Sequence, residues 1–492
     1  MRLRTPFIVL SLLAVGLTAG YILRGNLIGK PAHVLKVPAG DREIAWIQTS
    51  TNGASWERFV AGLHRTCRDI HDLEFDDSRA FLERSTATPE VVLSWKNRPG
   101  KLRIRWYKQT SEMGTKQWVD ALAERDPPPL AIIGGGSSDR ARDLARDLNA
   151  RTQWKGGRPL LLITTATAND LLDENREPYK LMQVYPERSF RFCFTNEQMA
   201  LAVVDFIWRM PDLRLRGGPP DGKGEEPRPV VFPVHWEDDP YSIDLSEKFR
   251  QAVKLRTGGQ FLQPFISHPP YSVGPFDRVN RAESQYAQQI LEEMPMLPGQ
   301  RSLLIMPTST TPARRFLRAL AGESPLIGKH LVAVNGDAIS VNDVYRDGGL
   351  LWNIRDVPVP LVFFAHQNPI DWDEDLRPPT GTDDALLFAD LARVLAASAY
   401  SADGRLVPDA DAFRDNLRAQ SYIPFDADGN RKEGSEYIVC VRPEISDSGR
   451  INAQASLEVW NRLQGGAWKQ VKPTEPLQAP YAPRSSRQLP GP

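Results

Sequence analysis

Three glycines and two serines, Gly134 to Ser138, follow a short apolar run and precede a charged segment with helical spacing. Strand, glycine turn and helix start often form an anion cradle, because amide N–H groups at a helix start have no partner within the helix. A phosphate loop needs Lys and then Ser or Thr after its last glycine, which this stretch lacks. A dinucleotide turn needs Gly or Ala where Asp139 stands, and that carboxylate would repel a pyrophosphate. The stretch therefore fits either a small polar ligand such as a carboxylate or a plain turn with a serine cap.

A second polar cluster, HWEDDPY at 235–241, places three carboxylates directly after an apolar run. Both a metal site and a solvated loop at a strand end fit this composition. The seven histidines are scattered, and the chain contains neither a G-x-S-x-G nor an H-E-x-x-H motif. We therefore predict a protein that is not an enzyme, with no catalytic residue, no metal ligand and no cofactor.

Composition places the chain among globular proteins. Its 492 residues allow two or three domains, with 41% hydrophobic and 25% charged residues. Lys plus Arg and Asp plus Glu balance at 61 each, and a nucleic-acid binder usually has a basic excess. Cys67, Cys193 and Cys440 form an odd set in apolar surroundings, which favours buried free thiols.

The N-terminus differs from the rest of the chain. Arg2 and Arg4 precede a run of 19 residues without charge, from Thr5 to Leu23. A basic start, an apolar centre and small residues near Ala19 are typical of a cleaved signal peptide, yet the run is also long enough to span a bilayer. Residues 1–30 are thus predicted to be a signal peptide or a membrane anchor. Either way we expect the body to be periplasmic or extracytoplasmic, with the N-terminal segment inserted in the inner membrane if it is not cleaved.

Short apolar runs alternate with helical patterns along the body of the chain. This alternation indicates an α/β fold with largely parallel sheets. Residues 213–229, rich in Gly, Pro and charge, are predicted to be a surface loop, and residues 472–492 a disordered tail. The predicted strands are 43–48, 102–107, 130–133, 159–164, 229–234, 302–306 and 331–334, and the predicted helices are 137–149, 196–210 and 384–400.

The order of segments resembles that of type I periplasmic binding proteins, and most closely the leucine/isoleucine/valine-binding branch of ABC-transporter receptors. The strand, glycine-serine turn and helix of 102–149 are followed by a Pro-to-Ala-Thr passage and an Asp-Tyr turn before a second-lobe helix. The collinear segments are 102–149, 157–208, 230–253, 302–320, 331–339, 385–400 and 425–443.

This resemblance implies a two-lobed type I periplasmic-binding-protein fold. Each lobe would be a parallel sheet flanked by helices, and the chain would cross the hinge three times. The implied division is 31–42 as linker, 43–193 and 353–415 as lobe 1, and 194–352 and 416–471 as lobe 2.

The resemblance also implies which residues contact a ligand between the lobes. A ligand carboxylate would meet a serine of the turn and the Ala-Thr pair, a tyrosine and a loop hydroxyl would line the second lobe, and an acidic side chain would pair with an ammonium group. The corresponding positions are Ser137 or Ser138, Ala166 and Thr167, Tyr241, Thr308 or Ser309, and Asp337. The chain departs from the family pattern at Trp56, which we expect in or near the cleft, and at Pro240 and Ser242 around the tyrosine.

The implied function is capture of a small polar ligand, an amino acid or related carboxylate, for uptake through an ABC permease. Two alternatives remain open. One is a membrane-tethered sensory or regulatory ectodomain that works with a signalling partner, and the other is an enzyme that uses the carboxylates of 235–241 with a metal.

Overall fold

The computed structural model describes most of the chain outside its two ends. The predicted signal or anchor segment 1–30, the predicted tail 472–492 and the central part of the predicted loop 213–229 lie outside the described residues. Within the described ranges, no helix has both the length and the apolar composition needed to span a membrane. The described residues are 34–218, 228–272, 276–323, 327–346, 349–350, 352, 357–369, 385–401, 403–446 and 451–471.

Two seven-stranded sheets organise these residues, and two short hairpins accompany them. All seven predicted strands are confirmed as members of the two sheets. The strands are β1 Arg42–Thr49, β2 Leu73–Arg79, β3 Glu90–Trp95, β4 Leu102–Gln109, β5 Ala131–Gly134, β6 Leu160–Ile163, β7 Asp170–Leu172, β8 Pro178–Lys180, β9 Ser189–Arg191, β10 Val231–Pro233, β11 Ser302–Ile305, β12 Leu331–Val334, β13 Tyr345–Arg346, β14 Gly349–Leu350, β15 Leu361–Ala365, β16 Tyr437–Ile445, β17 Ile451–Arg462 and β18 Trp468–Val471.

Helices flank both sheets, and the three predicted helices are confirmed to within two residues wherever the structure describes their ends. Two single 3₁₀ turns are also described, at Leu181–Gln183 and Ile327–Lys329. The α-helices are α1 Gly53–Asp69, α2 Thr115–Ala123, α3 Ser138–Ala150, α4 Asn196–Arg209, α5 Pro240–Thr257, α6 Phe276–Glu293, α7 Thr310–Glu323, α8 Val341–Val344, α9 Ala385–Ser398 and α10 Ala410–Ala419.

The first sheet has the order β2-β3-β4-β1-β5-β6-β9. Its strands from β4 to β9 are parallel, and β2 and β3 add an antiparallel edge. Because the chain moves outward in opposite directions from β1, toward β4 and toward β5, a crevice opens beyond the carboxyl ends of β1 and β5.

The second sheet has the order β10-β11-β12-β15-β16-β17-β18. Strands β10 to β15 are parallel, and β16 to β18 are antiparallel. A parallel bridge between Val230 and Leu262 lies beyond β10, so the chain again moves outward in two directions. The corresponding crevice lies beyond the carboxyl ends of β10 and β11.

Apolar side chains cover both faces of both sheets. Burial on both faces explains why the parallel strands are continuous apolar runs, such as LLLI in β6 and LVAV in β12. In the first sheet, α1 and α9 pack on one face while α2 and α3 pack on the other. In the second sheet, α6 and α7 cover one face, and α4 and α5 cover the other. The predicted α/β class and two-lobed arrangement are confirmed.

The predicted domain boundaries stay a proposal, and one of them needs correction. The sequence prediction places residues 353–415 in lobe 1, but β15 at Leu361–Ala365 pairs with β12 in the second sheet. Five consecutive buried residues suit a strand inside a parallel sheet, and α9, which follows, packs on α1 of the first lobe. Near the other boundary, Asn430 bridges to Arg191 of β9, so this part of 416–471 lies beside the first sheet. The number of hinge crossings stays a prediction, since residues 370–384 lie outside the described ranges.

Two smaller expectations have clear outcomes. Trp56 does not line a cleft, because its ring is buried in the first-lobe core and its Nε1 donates to the Ala80 carbonyl at 2.7 Å. The three cysteines are free thiols; Cys193 and Cys440 are buried, while Cys67 is only partly so. Burial raises the pKa of the Cys193 thiol to about 12, which keeps it protonated.

Candidate functional site

The glycine-serine turn lies at the carboxyl end of β5, beside the crevice of the first sheet. Gly135 has a φ of +76°, and a Cβ there would stand 2.7 Å from the Cβ of Ala141 in α3. Only glycine allows this turn and this close approach of the helix. Ser137 is the N-cap residue of α3 and is half-buried, and its side chain makes no capping bond. Ser138 is buried, and its Oγ accepts from the Ala168 amide at 3.3 Å.

The loop after β6 packs against this turn and carries the predicted Ala166 and Thr167. The Thr165 Oγ1 donates to the Gly136 carbonyl at 3.2 Å, which ties the two loops together. Ala166 and Thr167 are both buried. The Thr167 Oγ1 has no hydrogen-bond partner among the described residues, and a buried polar atom usually has one.

Arg191, which the sequence analysis missed, holds this loop from beneath. Its guanidinium is buried and donates to the carbonyls of Thr167, at 3.0 Å, and Ala168, at 2.8 Å. Burial lowers the pKa of Arg191 from its ordinary value. The segment SFRFCF around Arg191 predicts only a short strand. It does not indicate the role of Arg191, because the carbonyls that this side chain contacts lie more than twenty residues earlier in the chain.

The second-lobe candidates lie at the carboxyl ends of β10, β11 and β12. The Tyr241 hydroxyl accepts from the Ala338 amide at 3.3 Å and lies beside the Asp337 carboxylate. Burial, followed by the charge of Asp337, raises the pKa of Tyr241 well above its usual range. Thr308 is buried with no partner for its Oγ1 among the described residues, whereas Ser309 is exposed.

Asp337 already has a partner within the protein. The Nε2 of His366 lies 2.7 Å from its Oδ2, and only 2% of His366 is exposed. The His366 ring stacks on Phe194 at a centroid distance of 5.7 Å, and its Nδ1 has no described partner. Since His366 directly follows β15, it could have been found by predicting that strand.

Asn196 connects the candidates of the two lobes. Its amide donates to the Thr167 carbonyl at 2.8 Å, and its side-chain Nδ2 donates to the Tyr241 carbonyl at 3.3 Å. Its Oδ1 has no described partner. Thr167, Asn196, Tyr241, Asp337 and the histidine beside it therefore form one buried polar line between the sheets. Ser137 and Ser309 are not part of it.

A pocket of about 510 Å³ opens beside this polar line, with walls from both lobes. Strand β7, the turn that follows it and Arg142 form the first-lobe wall. The start of α5 forms the second wall, together with His235, Glu237, Asp238 and His268. The two imidazole rings stack at 3.7 Å, and burial, followed by His268, lowers the pKa of His235 to about 4, so that this ring is neutral at neutral pH. None of the eight predicted ligand residues is among the described residues that line the pocket.

The carboxylates of 235–241 serve local structure in part. Asp239 is the N-cap of α5 and accepts from the Tyr241 amide at 3.0 Å, and Asp238 accepts from the Ser272 amide at 2.8 Å. Among the described residues, no group of three or more His, Cys, Asp or Glu side chains is placed to hold a metal ion.

Comparison with known proteins gives similarity in structure only. No protein-family model and no curated protein matches the chain. Similar solved structures include an ABC transporter substrate-binding protein from Desulfitobacterium hafniense (12% identity, 88% of this chain and 100% of that chain, TM-score 0.47). Two others are an ABC transporter solute-binding protein from R. palustris in complex with benzoate (13%, 89% and 98%, 0.48) and an extracellular ligand-binding receptor from Verminephrobacter eiseniae (10%, 85% and 97%, 0.46).

The two sheets, and the pocket lined by residues of both lobes, define a two-lobed α/β protein.

Proposed function

We propose that the protein is an exported solute-binding receptor that captures a small polar ligand between its lobes. One observation carries this proposal: a pocket walled by both lobes stands beside the crevices of two sheets, each of which has a switch point between parallel strands. Ligands of open α/β sheets bind in such crevices, and a volume near 510 Å³ suits a small molecule.

The proposed ligand is an amino acid or a related carboxylate. The buried Thr167 and Thr308 hydroxyls without described partners, and the helix start at Ser138, support a ligand with polar groups. In this proposal Asp337 pairs with an ammonium group of the ligand, which must either join the His366 imidazole beside the carboxylate or displace it. Delivery to an ABC permease after lobe closure is the proposed next step, and the role is binding rather than catalysis.

The second candidate is a membrane-tethered sensory or regulatory ectodomain on the same fold. The uncharged run from Thr5 to Leu23 favours it, since a run of this length can span a bilayer. N-terminal sequencing of the mature protein separates the two candidates. A mature chain that begins near residue 20 supports a free receptor, and one that retains Met1 supports the tethered sensor.

A thermal-shift screen of the full chain against amino acids and small carboxylates tests the receptor proposal. A ligand at one hundred times its Kd stabilises the folded state by about 2.7 kcal/mol, so its binding raises the Tm clearly. We expect Ser138→Ala and Asp337→Ala to reduce that rise, and the exposed-site control Glu112→Gln to keep it. If no compound raises the Tm, or if the response of both site variants equals that of the unaltered chain, the proposed ligand or its site is wrong.

A further inference from the structure

Helix α5 of the second lobe inserts a carboxylate into the first lobe. Asp244 is 5% exposed. Its Oδ2 accepts from the Asn169 amide at 2.7 Å, and its Oδ1 accepts from the Asp170 amide at 3.3 Å. Both amides belong to the segment that leads from β6 into β7. A side chain of one lobe thus occupies backbone N–H groups of the other.

One turn further along α5, a second contact joins the same elements. The Lys248 Nζ lies 2.6 Å from the Asp170 Oδ2 and 4.0 Å from the Asp244 Oδ1. The Lys248 side chain is only 11% exposed. Partial burial strengthens this ion pair relative to one in open solvent, because water screens it less.

Asn196 holds Asp244 in this position. Its Nδ2 donates to the Asp244 Oδ2 at 2.8 Å, and its backbone amide donates to the Thr167 carbonyl at 2.8 Å. The Asp244 carboxylate therefore accepts three N–H groups, two from the first lobe and one from Asn196 of the second. Hydrogen bonds to an ionised acceptor are stronger than those between neutral groups.

We propose that Asp244 and Lys248, together with Asn169 and Asp170, form an interlobe clasp that holds the lobes closed without a ligand. Asp244 acts as an internal carboxylate for the first-lobe amide groups. The Asn169 and Asp170 amides are therefore satisfied by the chain itself, and the positions left for a ligand are the pocket and the unpartnered hydroxyls beside it.

The clasp sets the equilibrium between open and closed forms before any ligand binds. A ligand shifts such an equilibrium only through its difference in affinity for the two forms. The consequence for ligand affinity rests on the proposed receptor function: if the closed form is the one that binds, loss of the clasp weakens apparent affinity by the fall in the closed fraction. The clasp itself is a property of the ligand-free protein.

Pulsed electron–electron double resonance on the ligand-free full chain measures the clasp directly. Spin labels at Ala150→Cys in α3 and Leu255→Cys in α5 report the distance between lobes, in a Cys67→Ser background that leaves only buried native thiols. Asp244→Asn and Lys248→Met remove the charges of the clasp one at a time. Lys254→Met is the matched control, because this exposed lysine lies on the same helix and makes no ion pair with a described residue.

We expect one dominant short distance in the unaltered chain and in the control. Each clasp variant should add a longer distance, with roughly a tenfold rise in the ratio of open to closed molecules. Circular dichroism identifies a variant that fails to fold, and Lys248→Met, the milder change, then decides. Distance distributions identical to those of the unaltered chain, or an equal change in Lys254→Met, would overturn the clasp. A ligand screen without a hit would overturn the receptor proposal and leave the clasp standing.

Discussion

Arg191 is a buried cation that serves backbone carbonyls rather than a carboxylate. It forms no ion pair with a described residue. Its Nη1 and Nη2 donate to the carbonyls of Thr167 and Ala168, and its Nε has no described partner. Removing a donor from a buried acceptor costs about 1–3 kcal/mol per group. The residue therefore fixes the loop on which the proposed ligand contacts depend, at the cost of burying its own charge.

Replacing Arg191 by Met should loosen this loop. We expect the free energy of unfolding to fall by about 2 kcal/mol, since relief of the buried charge offsets only part of the loss of two hydrogen bonds. Urea titration measures the change, with Arg176→Met, on an exposed turn, as the control. Equal stability of Arg191→Met and the unaltered chain would show that the guanidinium does not support the loop.

Asp239 should make stability depend on pH. Burial, followed by the negative charges of Asp238 and Asp139, raises its pKa to about 6, against the opposing hydrogen bonds from the Tyr241 and Ser242 amides. An acid with a raised pKa in the folded state favours folding at low pH, and this contribution is lost as pH rises from about 4 through 6. Asp139 belongs to α3 of the first lobe, so part of the free energy needed to ionise Asp239 comes from repulsion between the lobes.

Asp239→Asn keeps a good N-cap and removes the charge. As pH rises from 4 to 7, we expect the free energy of unfolding of the variant to increase by about 1–2 kcal/mol relative to that of the unaltered chain, with no further increase above pH 7. Urea unfolding at several pH values measures this difference, and Glu112→Gln should show none. A constant difference between the two proteins across this range would contradict the account.

At the scale of single residues, the sequence predicts only some members of the candidate site. The resemblance to type I periplasmic binding proteins singles out Ser138, Thr167, Tyr241 and Asp337 as candidates, and their role in ligand binding stays a prediction. His366 could be singled out only by predicting β15, which it directly follows. Asp244 could not be singled out, since its role depends on a contact across 75 positions of the chain. Asp244 accepts from backbone amide groups, which every residue except proline has, so the types of the residues do not predict these hydrogen bonds.

Among the elements, the central strands of the first sheet share a buried network of charges. In β1, β3 and β4, the Glu43, Glu90 and Arg105 side chains are almost fully buried. The Arg105 Nη1 lies 2.6 Å from Glu43, and its Nε lies 2.5 Å from Glu90. The same Nη1 donates to the carbonyls of Leu35 and Lys36, each at 3.2 Å. The network therefore fastens the segment that precedes β1 to the sheet.

Arg105→Met should be strongly destabilising. It removes the cation that Glu43 and Glu90 share, while Glu43 keeps Arg125 at 2.7 Å and Glu90 keeps Arg103 at 3.0 Å. Because each carboxylate retains one partner, we expect a cost of about 3 kcal/mol, the lower end of the range for breaking a buried pair. We expect the free energy of unfolding of the first lobe, measured by urea titration, to fall by this amount. Lys36→Met serves as the control, because its side chain is exposed while its carbonyl remains to accept. If the free energy of unfolding falls no more than in the control, the buried charges of this network do not stabilise the first lobe.

Strands differ in how well the sequence predicts them. Short parallel strands such as β6 and β12 are continuous apolar runs, because helices cover them on both faces, whereas β4 carries charged residues among its apolar ones. The edge strand β2 has only its first residue buried, so its sequence LEFDDSR lacks such a run. Likewise β18 has no buried residue, and only its pairing with β17 makes it a strand. Edge strands of this kind depend on partners far along the chain, which local patterns do not reveal.

At the level of the whole molecule, each of the two sheets has a crevice at its switch point, and residues of both lobes line the pocket. The chain carries a formal net charge of zero, so long-range attraction contributes little to ligand capture, and the local contacts of the pocket decide affinity. In the proposed receptor, opening and closing of the lobes admits the ligand, and the proposed interlobe clasp opposes opening.

Hydrogen–deuterium exchange of the full chain, with and without the ligand found by the thermal-shift screen, tests the central claim most directly. A ligand held between the lobes should slow exchange in both walls, at residues 165–172 of the first lobe and 235–243 of the second, while residues 73–79 at the far edge of the first sheet stay unchanged. Protection confined to a single lobe, or located away from these two segments, would contradict a receptor that binds its ligand between its lobes.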